Sequence, residues 1–117
     1  MDDFEPILRR EFDAEEGSFL LQLRCDLVWD KAAFSRLVAA MEKCAVGHEG
    51  RQVIARWIAE GFWYLEKFIP EHCGHPAFPR RHGDEYYESA YERLRDLSYW
   101  LFVGESVYQG GGPPTPL

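Results

Sequence analysis

The sequence predicts an all-α protein, an irregular bundle of four or five helices. Its clearest sign is the stretch from Arg51 to Ile69, where eight apolar or small residues recur at helical spacing: Ile54, Trp57, Ile58, Gly61, Phe62, Leu65, Phe68 and Ile69. At 100° per residue these positions fall within an arc of about 140°, the apolar stripe of a core-facing helix. A second amphipathic stretch runs from Asp84 to Val103. With 46% hydrophobic residues, a chain of 117 residues can bury a core without disulfides or metals to support it.

The first helix is predicted to end near Phe12. Asp2 and Asp3 can cap its start, and Pro6 falls in its opening turn, where the missing N–H is harmless. Ile7, Leu8 and Phe12 give it a short apolar face.

The next segment, from Asp13 to Trp29, is ambiguous. Asp13 followed by Glu16 resembles a capping box, which favours a helix. Residues 21–27, however, alternate strictly between apolar and polar, as strands do. A strand here could pair only with residues 8–13, and an isolated hairpin is marginally stable. We therefore prefer the helix, and an α+β fold with an N-terminal hairpin before Asp30 is the alternative.

Asp30 is predicted to cap a third helix. Trp29 before it and Phe34 four residues after it form a hydrophobic staple. This helix should run from Lys31 to about Ala45, and Gly47–Gly50 should end it.

The helix from Arg51 is expected to stop at Pro70, because the residue before a proline is pushed out of the helical region. Gly61 lies in its apolar stripe and can let a neighbour approach closely. Trp63 lies on the polar side, so either the helix is covered on both sides, which we favour, or Trp63 faces outward.

A last helix should run from Asp84 to Val103, with Gly104 closing it. We expect residues 1–104 to form one helical domain and residues 105–117 to be a flexible Gly/Pro-rich tail.

Charge and composition narrow the possible partners and location. The formal net charge of −7 argues against nucleic acid and against an anionic membrane surface. The chain opens with no basic segment followed by an apolar run, and no stretch approaches the ~20 apolar residues of a membrane span, so we expect a cytoplasmic protein. Cys25, Cys44 and Cys73 are odd in number and widely spaced, and are expected to be reduced. No cofactor motif occurs.

The loop after Pro70 carries a group of side chains that could bind metal or provide a nucleophile: His72, Cys73, His75 and His82. Imidazole and thiolate are zinc ligands, but this spacing matches no standard finger or H-E-x-x-H motif. These residues are therefore weak metal candidates, and the preferred interpretation is that they are loop histidines that hydrogen-bond or cap the preceding helix. A Cys–His pair would rest on proximity alone.

The last helix carries an acidic ridge, which we define as Glu85, Glu88, Glu92 and Asp96, ending in Tyr99. These residues share an arc of about 80° opposite the packing face. A charge run is usually a solvated helix face. The alternative is a surface that attracts a basic partner by long-range steering, with Tyr99, Tyr86 or Trp63 as an aromatic anchor.

The sequence thus favours a non-enzymatic cytoplasmic binding protein and, in its finer form, an immunity or antitoxin-like inhibitor of a basic protein toxin. The analogy is with nuclease-colicin immunity proteins, which are also small, acidic and helical, and it rests on the type of surface alone. Two alternatives stay open. One is a metal-dependent or thiol enzyme that uses the histidine loop, and the other is a structural subunit that self-associates as a homodimer.

Overall fold

The fold is a bundle of helices, and no strand occurs in the part of the chain that the computed structural model describes, residues 4–107. The helices are α1 (Phe4–Phe12), α2 (Phe19–Leu21, which continues into a π-helical turn, Gln22–Asp26), α3 (Lys31–Gly47), α4 (Arg56–Gly74) and α5 (Asp84–Val103). The all-α prediction is confirmed, and the N-terminal hairpin is not supported. The capping role expected of Asp2 and Asp3 lies outside the described residues, as does most of the expected tail, residues 108–117.

The contacts between helices show which of them lie at the centre of the bundle. Helix α5 packs against both α3 and α4, while α1 packs against α3 and α2. The central long helices are therefore α3, which contacts α1, α2 and α5, and α5, which contacts α3 and α4. The inner face of α5 is buried as its sequence pattern predicted, at Tyr87, Ala90, Tyr91, Leu94, Leu97, Ser98 and Leu101.

The segment after α1 is helical but starts later than predicted. Positive φ angles at Ala14 (52°) and Gly17 (86°) turn the chain, so Asp13 cannot cap a helix. Ser18 is the N-cap instead, and its Oγ accepts the Leu21 N–H at 3.1 Å. The alternating pattern that resembled a strand belongs to the π-helical turn, which Leu27 ends at a φ of 54°.

The Glu11 carboxylate also caps α2, from the end of α1. Both of its oxygens accept the Phe19 N–H, at 3.1 and 3.0 Å, and the residue is only 6% exposed. Burial raises the pKa of this carboxyl above its ordinary value of 4.5, while backbone hydrogen bonds from Phe19 and Leu20 and the charges of Arg36 and Arg10 act in the opposite direction.

The predicted cap and staple of α3 are confirmed. Asp30 Oδ1 accepts the Ala33 N–H at 3.1 Å, and the rings of Trp29 and Phe34 lie 4.9 Å apart. The helix continues two residues beyond Ala45, to Gly47.

Helix α4 begins and ends later than predicted. Ala55, the residue before it, is extended (φ −58°, ψ 137°), so residues 51–55 form a linker instead of the first helical turn. Because α5 lies between α3 and α4, this linker must span the distance from the end of α3 to the start of α4. An extended chain suits this role, since it advances about 3.3 Å per residue against about 1.5 Å in a helix.

Pro70 does not end α4, as the sequence had suggested, because tertiary contacts hold the turn that follows it. Cys73 in that turn is fully buried. The His72 ring stacks on Phe68 at 4.9 Å, and its Nε2 is 3.1 Å from the Leu23 carbonyl oxygen. These contacts offset the one hydrogen bond that a proline removes.

Gly61 permits a close approach of α1 to α4. A Cβ at this position would overlap the Phe12 ring, which packs edge-on against Trp57 and Phe62 at 6.1 and 6.2 Å between centroids. The expected role of Gly61 is therefore confirmed, with an aromatic ring as the neighbour.

Gly61→Ala should destabilise the protein by about 1 kcal/mol, since overpacking costs about 1–3 kcal/mol and the gain in helix propensity returns about 1 kcal/mol. Urea denaturation would measure this. The cost should shrink when Phe12 is also changed to Leu, and an equal cost in both backgrounds would contradict the packing explanation. Gly74→Ala is the matched control, because a Cβ there meets nothing within 4 Å.

Glu11→Gln should change how stability depends on pH. A pKa that is raised in the folded state means that the native protein binds the proton more tightly than the unfolded chain does. Ionised Glu11 therefore costs stability, and this cost disappears as pH falls through the folded-state pKa. Relative to Glu11→Gln, the wild type should gain free energy of unfolding as pH is lowered from neutral toward 4.5. Denaturation at several pH values tests this, with the exposed Glu15→Gln as control; a pH-independent difference would refute it.

Candidate partner-binding surface

The acidic ridge lies on the solvent side of α5. Glu85, Glu88 and Glu92 are exposed, and none of them forms a hydrogen bond or salt bridge with another residue in the range 4–107. Asp96 is only half-exposed and interacts within the fold. Three of the four predicted carboxylates are thus available to a partner, and like charges spaced four residues apart, as in Glu88 and Glu92, repel each other by a few tenths of a kcal/mol.

An exposed apolar patch adjoins the C-terminal end of the ridge. We define it by four large side chains that stand out from the surface: Trp63 (58% exposed), Tyr99 (45%), Phe102 (47%) and Val103 (55%). Tyr99 precedes Phe102 by three residues and Val103 by four, so the three side chains are neighbours on the helix surface. Tyr99 belongs to both the ridge and the patch and joins them.

Trp63 lies on the solvent side of α4. Glu60, Gly61 and Tyr64 of the same helix line a cavity beside α1. Phe62, the residue before Trp63, contacts Phe102 of α5 at 6.5 Å between ring centroids. The Phe62–Phe102 contact joins α4 to α5 one residue before Trp63, and on this basis we group Trp63 with the patch. The expectation that a second layer covers Trp63 is wrong, since more than half of it is exposed.

Sequence reasoning missed Phe102 and Val103 as parts of this surface. The available signal was the run from Tyr99 to Val103, where five consecutive apolar or aromatic residues make the end of α5 apolar all round. A helix of that kind carries apolar surface on a side that its own fold does not cover.

The histidine loop does not converge on one point. His72 Nε2 hydrogen-bonds to the Leu23 carbonyl, and His82 Nε2 to the Trp29 carbonyl, each at 3.1 Å. His75 is exposed, and its Nδ1 accepts the Ala77 N–H at 3.0 Å. Within residues 4–107, no three His, Cys, Asp or Glu side chains are grouped so that they could hold a metal ion. The imidazoles of His72 and His82 instead tie the α4–α5 region to the segment between α2 and α3.

Cys73 is poorly suited to nucleophilic chemistry. The side chain is fully buried, and burial raises the pKa of its thiol to about 12, although the charge of Arg80 lowers it. The reactive form of cysteine is the thiolate, which is scarce at neutral pH when the pKa is so high. The neighbouring His72 makes its ring hydrogen bond to Leu23 instead.

Two cavities open between the helices, and the sequence indicated neither. The first, of ≈ 250 Å³, lies between α1, α2 and α4, where the Arg9 guanidinium sits 4.0 Å from the centre of the Trp57 ring. The second, of ≈ 360 Å³, lies between α1 and α3 and carries several basic side chains.

Comparison of the chain with protein-family models, with curated proteins and with solved structures finds no match. Among the helices of residues 4–107, none combines the length and the apolar character needed to cross a membrane.

His72→Ala and His82→Ala should each lower the free energy of unfolding by about 1 kcal/mol or more, because each removes a hydrogen bond to a backbone carbonyl. His75→Ala, which alters only a local contact at an exposed position, is the matched control. If these histidines are structural, added zinc or a chelator should leave the melting temperature unchanged. A melting temperature that rises with zinc in the wild type, but not in His72→Ala, would reverse the assignment.

Proposed function

We propose that this chain is a non-enzymatic, cytoplasmic binding protein that recognises a basic protein through the outer face of α5. The proposal is based on one observation: three exposed carboxylates of the acidic ridge, which form no salt bridge within residues 4–107, and an exposed apolar patch lie next to each other on one surface. In its finer form, the partner is a basic protein toxin and the chain is an immunity or antitoxin-like inhibitor.

The charges supply attraction and orientation. Glu85, Glu88 and Glu92 point to solvent along one side of α5 in a chain whose formal net charge is −7. Such a surface raises the rate of encounter with a cationic partner and disfavours nucleic acid and anionic membranes. Exposed charges alone contribute little net affinity, because salt and water screen them.

The apolar patch supplies the surface that a partner can desolvate. Binding energy usually concentrates in a few aromatic side chains near the centre of an interface, with polar groups around them. Trp63, Tyr99 and Phe102 fit the first role, and the carboxylates of the ridge fit the second.

A homodimer through the same surface is the weaker candidate. A two-fold interface brings identical patches face to face, so the ridges of two copies would approach each other with the same charge. The apolar patch favours self-association, but the adjoining Glu88 and Glu92 oppose it. A monomeric mass in solution by light scattering would exclude the homodimer.

The test begins with a pull-down from the native host at low and high salt, which identifies basic proteins whose capture is lost as salt rises. Binding of the purified partner is then measured by surface plasmon resonance. The Glu88→Lys, Glu92→Lys double variant should slow association at low salt by about tenfold or more, because steering falls with the charge. Trp63→Ala should mainly speed dissociation, because it removes an anchor.

The matched control is Glu15→Lys, Glu16→Lys, which makes the same change of net charge at exposed positions before α2. It should reduce association much less than the α5 variant. If both double variants bind the partner equally, or if the α5 variant binds as the wild type does, the α5 surface is not the interface.

A further inference from the structure

The second cavity lies on a different part of the molecule from the acidic ridge and has the opposite charge. It is a groove of ≈ 360 Å³ between α1 and α3, and its lining includes Arg10, Arg36 and Lys43 with Glu11 as its only acidic residue. A groove with three cations and one carboxylate stands out in a chain whose formal net charge is −7.

Helical spacing explains how the cations come together. On α3, Arg36, Ala40 and Lys43 are separated by four and three residues, so they form one stripe along the helix. On α1, Ile7, Arg10 and Glu11 form the facing stripe by the same spacing. The small side chains of Ala39 and Ala40 leave space where α1 and α3 meet, and this space is the groove.

The cations have few partners within the protein. Arg36 and Lys43 are exposed and form no hydrogen bond or salt bridge with other residues of the described range, 4–107. Arg10 Nη2 donates to the Glu16 carbonyl oxygen at a long 3.5 Å. The Glu11 carboxylate accepts the Phe19 N–H through both oxygens, and it also interacts with the charges of Arg36 and Arg10, so it offsets one of the three positive charges. The groove therefore keeps a surplus of positive charge and unused N–H donors.

The rest of the lining is apolar or small. Ile7 and Ala39 are exposed at the groove, and Ala40 forms a buried floor. A volume of ≈ 360 Å³ is close to the lower limit of about 300 Å³ for ligand pockets, so it suits a small molecule. The ligand should combine an anionic group for the cations with a short apolar body for these side chains.

We propose that the groove between α1 and α3 is a binding site for a small phosphate monoester with an apolar body. Three cations and one ionised carboxylate leave two positive charges, and a phosphate monoester carries about −1.5 to −2 at neutral pH. One arginine guanidinium can donate two parallel hydrogen bonds to two oxygens of a phosphate, whereas the lysine ammonium group attracts the phosphate as a point charge. This site is independent of the proposed partner surface on α5.

Isothermal titration calorimetry of the full chain with phenyl phosphate tests the proposal, with inorganic phosphate and phenol as the two halves of the probe. Phenyl phosphate should bind saturably and at least tenfold more tightly than either half. No saturable binding at millimolar concentration overturns the proposal. Equal affinity for inorganic phosphate or for phenol overturns it as well, because the groove would then not recognise both parts.

The charge variant is Arg36→Gln, Lys43→Gln, which should weaken phenyl phosphate at least tenfold. Both side chains are exposed and form no hydrogen bond or salt bridge within residues 4–107, although the charge of Arg36 acts on Glu11, so the fold should persist. The matched control is Lys67→Gln, Arg95→Gln, which removes the same charge from exposed positions on α4 and α5. If the control weakens binding as much, the effect is one of net charge and the site is wrong.

A third variant leaves the cations in place. Ala39→Glu introduces a carboxylate at the exposed edge of the groove, which should repel the phosphate and abolish binding. Phenyl phosphate that still binds Ala39→Glu with wild-type affinity is bound elsewhere, and that result overturns the proposal. The amide signals of Ala39 and Ala40 in a ¹⁵N-labelled chain should shift with phenyl phosphate in the wild type.

Discussion

The fold depends on Trp29, which joins its N-terminal and C-terminal halves. The Trp29 ring lies within 4.9–5.8 Å of the rings of Phe19, Phe34, Tyr86 and Tyr87. Its indole N–H donates to the Tyr86 hydroxyl at 2.9 Å, and its carbonyl oxygen is 3.1 Å from His82 Nε2. One buried side chain therefore fixes the linker before α3 against the start of α5. Aromatic pairs and a hydrogen-bonded indole N–H each stabilise the fold beyond the burial of apolar area, so few other side chains could replace Trp29 here.

Helix α5 takes its position from that contact and separates two kinds of surface. Its inner face packs on α3 and α4, and this burial leaves the carboxylates of the ridge on the outside. Because α4 packs beside α5, Phe102 of α5 contacts Phe62 of α4 at the end of their shared boundary. Trp63, the residue after Phe62, is left exposed. The charged and apolar parts of the candidate interface thus come from one packing arrangement.

Several local signals in the sequence were read correctly, whereas others, such as the Asp13–Glu16 capping box and the stop at Pro70, were overridden by the rest of the fold. The Asp30 cap, the Trp29–Phe34 staple and the Gly104 stop, with its φ of 90°, each depend on neighbours a few residues away, and all were predicted. The continuation of α4 past Pro70 depends on His72 and Leu23, which are 49 residues apart in the chain. The start of α4 was misread because Ile54 is partly buried against the core even though it lies outside the helix. The acidic ridge lies on one helix and was predictable, whereas the basic groove joins α1 to α3 and was not.

The distribution of charge separates the two candidate sites. The unpaired carboxylates Glu85, Glu88 and Glu92 lie on the outer face of α5, and the groove cations lie between α1 and α3, with the core between α3 and α5. If the partner is the cationic protein proposed above, the first surface would attract it and the second would repel it, so the groove cations would help to orient the encounter. An anion bound in the groove would reduce that repulsion and make the molecule more uniformly negative. An anion in the groove would then affect mainly how the proposed partner is oriented as it approaches. It would affect the contacts at the interface on α5 less.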